Sequence, residues 1–159
     1  MSTTILAVGR LKEKPYRQMA DEYLKRLSRF GRCEEKEVAD LAEPEGASPA
    51  VENQIRTREG EELLRRISPR DYVIALTIGG RTMDSPGLAA HLSELRNRGA
   101  GKIVFIIGGS LGLGENVLER ADEELSMGAM TFPHQLARVM LLEQLYRAAK
   151  INAGERYHK

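Results

Sequence analysis

The sequence predicts an α/β fold built on a mainly parallel sheet flanked by helices. Strand-like and helix-like segments alternate from one end of the chain to the other, which is the pattern of a parallel sheet with crossover helices. Residues 103–107 are an unbroken apolar run, as expected of a strand buried on both faces. Two such strands end in glycine pairs, Gly79 with Gly80 and Gly108 with Gly109, at the carboxyl ends where open α/β sheets bind ligands. With 159 residues and 42% hydrophobic content, a single domain over residues 1–159 suffices, burying roughly two-thirds of the unfolded surface.

Residues 5–8 are apolar and closed by Gly9, predicting the first buried strand. A basic turn, RLKEK, follows. Pro15 suits the first turn of a helix, and Tyr16, Met19, Ala20, Tyr23, Leu24, Leu27 and Phe30 then recur at three- and four-residue steps, the mark of an amphipathic helix. Its outer face carries Lys14, Arg17, Lys25, Arg26 and Arg29, readable as a solvated face or as a surface for nucleic acid. Residues 33–41 alternate imperfectly and are rich in Glu, predicting a short strand near a sheet edge. Pro44, Gly46, Ser48 and Pro49 mark a loop, and a helix over about residues 50–67 follows, weakened in its middle by Gly60.

Residues 72–78 form the next apolar strand. Ser85 reads as a helix N-cap with Pro86 at the first helical position; Leu88, Ala89, Leu92 and Leu95 give the apolar face, and Gly99 and Gly101 end the helix. His91 lies opposite that stripe and reads as a surface residue without a role. After the glycine loop, residues 115–124 read as one helix, with Asp122, Glu123 and Glu124 set against its macrodipole; residues 126–132 read as a short strand and loop. Pro133 opens the longest helix, where Leu136, Val139, Met140, Leu141, Leu142, Leu145, Tyr146 and Ala149 leave few turns with a polar side. Such a helix must bury more than one face, against its own core and a second subunit.

Composition narrows the function classes. The 24 basic and 23 acidic residues leave a net charge of +1, so no global field marks a nucleic-acid binder and any such contact is local. Cys33 is the only cysteine, which excludes an internal disulfide and a cysteine-based zinc cluster and fits a reducing cytosol; it reads as a small core hydrophobe. No apolar run approaches the roughly 18 residues of a membrane span, so a soluble, unprocessed, cytoplasmic protein is expected.

The loop IIGGSLGLG places Gly108, Gly109, Gly112 and Gly114 within seven positions, allowing close backbone approach to a ligand. It fails as a P-loop, because Glu115 and Asn116 stand where Lys and Ser or Thr are required. It also fails as a dinucleotide fingerprint, because Val117 takes the last glycine position. What remains is a loop that recognises its ligand by backbone groups and apolar contact, or a plain strand-to-helix turn.

Together with LSMGAMTFPHQLARVMLLEQLYRA and the terminal GERYHK, this loop resembles the large-subunit ribosomal RNA pseudouridine N3-methyltransferases, a SPOUT-class family that uses S-adenosylmethionine. The similarity runs from LAVGRLK to the last residue and is most specific in the C-terminal half. It implies a trefoil knot in that half, an exception to the rule against threaded chains, a homodimer, and methyl transfer to N3 of a pseudouridine in 23S ribosomal RNA on the assembled ribosome. It further implies a cofactor site at Leu76, Gly108, Met127, Gly128, Ala129, Met130, Thr131 and Phe132, catalytic roles for Arg147, Tyr157 and His158, and an RNA contact by Lys159, to which helical spacing adds Arg138 as a second RNA contact. Lys159 stands where some members carry Arg, which removes planar bidentate contact there.

The chemistry suits these residue types. The cofactor needs apolar walls and backbone hydrogen bonds more than fixed cations, although by spacing alone Met127 and Met130 read as core. Its sulfonium supplies the electrophile, so no metal is required. The protein adds orientation and a base near neutrality, for which His91, His134 and His158 qualify by type. Tyr157 can stack on a base, His158 can accept a proton and Lys159 can meet phosphate. Arg138 and Arg147 are about two and a half turns apart on one helix and can share a cleft rim, or each can pair with Glu143 or another carboxylate. The competing functions are methylation of another RNA base and non-catalytic ribosome or RNA binding.

Overall fold

The computed structural model describes residues 2–159. Strands β1 (Ser2–Val8), β2 (Cys33–Val38), β3 (Tyr72–Thr82), β4 (Lys102–Ile107) and β5 (Glu123–Ser126) form one sheet in the order β2-β1-β4-β3-β5. All four pairings are parallel. Helices α1 (Lys14–Leu27), α2 (Pro49–Leu64), α3 (Ser85–Asn97), α4 (Glu115–Arg120) and α5 (His134–Asn152) flank it, as the alternation of segments predicts.

Successive side chains of a strand point to opposite faces, and here each face has its own core. Ile5, Ala7, Ile74, Ile103, Phe105 and Ile107 pack with α1, α3 and α5. Leu6, Val8, Val73, Val104 and Ile106 pack with α2 and α4 through Leu63 and Val117. That double burial is why β4 reads as continuous apolar sequence.

The Glu-rich β2 is an edge strand, as expected. Cys33 lies on it, half-buried. Burial, with Glu35 and Glu34 adding to it, pushes the thiol up to about 12. Only the thiolate reacts, so at pH 8 iodoacetamide should label native Cys33 roughly a thousandfold more slowly than an ordinary cysteine of pKa ~8.5. Stoichiometric labelling within minutes, read by mass spectrometry, would contradict this environment.

Several boundaries differ from the sequence expectation. The helix expected over residues 115–124 stops at Arg120, and the chain enters β5 at Glu123. Asp122 turns it: its Oδ2 accepts from the Val73 backbone N–H at 2.7 Å, while its own N–H donates to the Val73 carbonyl at 2.8 Å. The N-cap of α3 is Asp84, whose Oδ1 accepts from Gly87 N–H at 2.7 Å, and not Ser85. His91 is no free surface residue, because its Nε2 lies 2.6 Å from Glu123 Oε1, joining α3 to β5. Gly60 is a packing position: a β-carbon there would strike the Asn116 side chain, so its absence lets α4 press against α2.

Candidate functional site

The carboxyl ends of β3 and β4 open into a cavity of about 820 Å³. From β3 come Leu76, Thr77 and Ile78; from β4 and its loop come Ile107 and residues 108–113; the β5–α5 segment adds Met127, Gly128, Met130, Thr131, Phe132 and Pro133; and α5 adds His134 and Ala137. Among the described residues, no lysine or arginine lines it. Ile78 is 58% and Met130 74% exposed, so two large apolar side chains stand uncovered at its mouth.

Local backbone features shape each wall. Gly112 takes φ +80°, and its N–H donates to the Gly109 carbonyl at 3.0 Å, closing a tight turn over residues 109–112. A β-carbon on Gly108 would lie 2.7 Å from the Gly112 carbonyl carbon, a distance side chains do not adopt. Glycine is therefore required at 108 first by the loop's approach to itself. On the opposite wall, the buried Ser126 hydroxyl donates to the Ile78 carbonyl at 2.9 Å and accepts from Gly128 N–H at 3.2 Å. This ties the loop after β5, with Gly128 at φ +125°, to the end of β3. The helix α5 begins at the cavity wall, with Pro133, His134 and Ala137 among the lining residues.

The C-terminal tail lies elsewhere on the chain. Tyr157 stacks edge-on against Tyr146 at 5.0 Å, its hydroxyl donates to Glu143 Oε1 at 3.2 Å, and the Arg147 guanidinium sits 4.7 Å from its ring centre. Arg147 is itself held by Glu143 at 2.6 Å and lies 3.3 Å from His158 Nδ1. Burial and the Glu143 carboxylate push the Tyr157 phenol above its ordinary value, so it stays protonated and is a donor here. Arg147 comes thirteen residues after His134, which is about 20 Å along a helix. None of the described residues 155–159 lines the cavity.

Arg138 is not at the surface. It is 1% exposed, its Nη1 pairs with Glu37 and with Glu35 at 3.3 Å, and its Nη2 donates to the Gly9 carbonyl at 2.8 Å. A guanidinium so enclosed cannot share a cleft rim with Arg147. This corrects its placement as an RNA contact.

The family model described as "Predicted SPOUT methyltransferase" matches residues 1–158. The chain belongs to this SPOUT methyltransferase family. Two relatives, from Carboxydothermus hydrogenoformans and Bifidobacterium adolescentis, are 50% and 51% identical over the full length of both chains, and each is named Ribosomal RNA large subunit methyltransferase H. Among solved structures, a probable methyltransferase from Bordetella pertussis matches with TM-score 0.56 over 92% of this chain and 95% of its own, at 16% identity. A probable methylase family protein from Haemophilus influenzae gives 0.55 over 99% of this chain and 70% of its own, at 14% identity. At such identities the likeness concerns the fold.

For this SPOUT methyltransferase, the cavity gathers Leu76, Gly108, Met127, Gly128, Met130, Thr131 and Phe132, while Ala129 does not line it. It also takes in residues the sequence did not single out for it, among them Thr77, Leu118 and Ala137. Thr77 had a signal, standing next to Leu76 at the end of an apolar strand. The glycine pair of β3 serves a different purpose from that of β4. Leu76 and Arg81 both pair with Leu125, so residues between them bulge, and a β-carbon on Gly80 would lie 2.7 Å from the Glu124 carbonyl carbon.

Proposed function

We propose that this enzyme transfers the methyl group of S-adenosylmethionine to N3 of a pseudouridine in 23S ribosomal RNA, acting on the assembled ribosome in the cytoplasm. The observation that carries the reading is the cavity: apolar walls, a glycine turn rich in backbone N–H and carbonyl groups, and no fixed cation to oppose a sulfonium. The names of the full-length relatives support large-subunit ribosomal RNA as the substrate class.

The residues present fit the cofactor. Leu76, Met127, Met130 and Phe132 would flank its adenine and aliphatic parts, and backbone groups of the loops at Gly108 and Gly128 would take its polar edges, with Thr131 alongside. When bound, the cofactor supplies an electrophilic methyl. The protein's task is then to exclude water, fix the RNA base in line and accept the imide proton. His158 is assigned that proton, while Tyr157 and Arg147 hold the base and its backbone.

No described tail residue lines its own chain's cavity, which supports a dimer in which each tail serves the partner's cavity. Leu136 and Met140, half-buried on α5, belong to the face that would meet the second copy. Sedimentation at low micromolar concentration should find dimer, and a stable monomer there would overturn this arrangement.

Gly108→Val should abolish measurable cofactor binding by calorimetry, lowering affinity at least about 100-fold, because the turn over residues 109–112 must open to admit the side chain. Circular dichroism should remain that of a folded protein, since the clash lies in a surface loop. Unchanged affinity in a folded variant would remove the glycine turn from the cofactor site. For the substrate, mass spectrometry of 23S ribosomal RNA from cells lacking the protein should show one pseudouridine without its N3 methyl, and a full methyl complement would refute the assignment.

A further inference from the structure

The basic outer face expected on α1 is largely neutralised. Arg17 pairs with Asp21 at 2.8 Å and with Glu35, Arg26 pairs with Glu22 at 2.8 Å, and Arg29 pairs with Glu155. The turn that precedes the helix is different. Arg10, Lys12 and Lys14 are all exposed, and none enters an ion pair among the described residues. Only Glu13 interrupts them.

This turn is built to present its cations. Gly9 opens it at φ +85°, its N–H donates to the Val38 carbonyl at 2.8 Å, and its carbonyl is held by the buried Arg138 at 2.8 Å. Leu11 is buried in the core between Arg10 and Lys12, so the two charges stand outward on either side of an apolar anchor. Lys14 opens α1, whose first turn holds no acidic residue. A cation there opposes the macrodipole, and a bound anion would relieve both charges at once.

Position completes the argument. The turn leaves the carboxyl end of β1, which neighbours β4 with Ala7 opposite Ile107, one strand spacing or about 4.8 Å from the glycine loop. A β-carbon on Gly9 would lie 4.0 Å from His134 Nε2, on the cavity wall. Lys25, Arg70 and Arg96, also exposed, lie toward the opposite ends of the strands, where α1 and α3 end and β3 begins, while the exposed Arg81 stands near the carboxyl end of β3 on the same side as the turn.

We propose that Arg10, Lys12 and Lys14 form a phosphate-binding rim that seats the backbone of the RNA substrate beside the methyl-transfer cavity. The proposal rests on the reading of this chain as an RNA methyltransferase. Phosphates are the fitting partner because the three charges are solvent-facing and unpaired among the described residues, which gives affinity without base recognition.

The test is the triple variant Arg10→Gln, Lys12→Gln, Lys14→Gln, assayed on ribosomes lacking the methyl group. KM for ribosomes should rise at least about tenfold with kcat unchanged, the signature of lost uniform binding. The slope of log affinity against log salt should flatten by about two to three, near 0.7–0.9 per lost phosphate contact. Cofactor affinity by calorimetry and the sedimentation coefficient should not change. With an active wild-type enzyme, an unchanged KM and salt slope would overturn the rim. So would a loss of cofactor affinity or folding in the variant, or an equal effect from Lys25→Gln with Arg96→Gln. A wild-type protein that binds the cofactor but leaves ribosomes unmethylated would instead refute the underlying function.

Discussion

Arg138→Met should lower the stability of the folded chain by about 3 kcal/mol, the low end of the ~3–5 kcal/mol seen when one partner of a buried ion pair is removed. The guanidinium joins α5 to β2 through Glu35 and Glu37 and to the end of β1 through the Gly9 carbonyl. Methionine fills similar volume but leaves the Glu35 carboxylate, only 8% exposed, short of a partner. Arg17 remains on Glu35, which is why the low end is expected. Arg98→Ala is the contrasting case: its pair with Glu94 is solvent-exposed, so its loss should cost no more than about 0.5 kcal/mol. Urea unfolding of the two variants should separate them clearly, and a cost below about 1 kcal/mol for Arg138→Met would mean that the buried cluster contributes little. In the Arg138→Met, Glu35→Gln, Glu37→Gln variant much of the loss should return, because no unpaired buried charge is left.

Features written in short-range patterning were legible in the sequence. Double-faced burial gives an unbroken apolar run, so β4 and its place inside a parallel sheet could be read directly. The helix starting after Pro133 was equally plain. What escaped depends on partners distant in the chain. Nothing near Arg138 indicates that its guanidinium meets carboxylates about a hundred residues upstream, and by helical spacing it looked like a companion of Arg147. The break after Arg120 did leave a trace, since Asp122, Glu123 and Glu124 oppose a helix dipole. The reason for the break is the Val73 backbone, which no local pattern reveals. The glycines show the same division. Their clustering after Ile107 marked the cavity, but only the folded chain brings Gly108 against Gly112, Gly80 against Glu124, and Asn116 into the space beside Gly60.

On the proposed reading, truncation after Arg156 should reduce methyl transfer to ribosomes by at least about 100-fold, the scale of a lost general base, and leave cofactor binding and the proposed dimer intact. The segment removed contributes little to the fold. His158 and Lys159 are exposed, and Tyr157 packs chiefly through one aromatic pair with Tyr146, worth about 1 kcal/mol. Its removal does free Arg147 on one side, but Glu143 still holds that guanidinium through two of its nitrogens. The loss of activity is therefore a loss of groups that act, with the scaffold retained. His158→Ala separates the possibilities within the tail. If the imidazole takes the imide proton, kcat should fall about 100-fold while KM for ribosomes stays within about threefold; a purely positional role would move KM instead. If each tail serves the partner's cavity, as proposed, mixing truncated protein with an inactive Gly108→Val partner should restore activity in the heterodimer. One protomer then supplies the cavity and the other the tail. Full activity of the truncated homodimer would reduce the tail to an unneeded terminus, and failure of the mixed dimer to recover would place both parts of the site on the same chain.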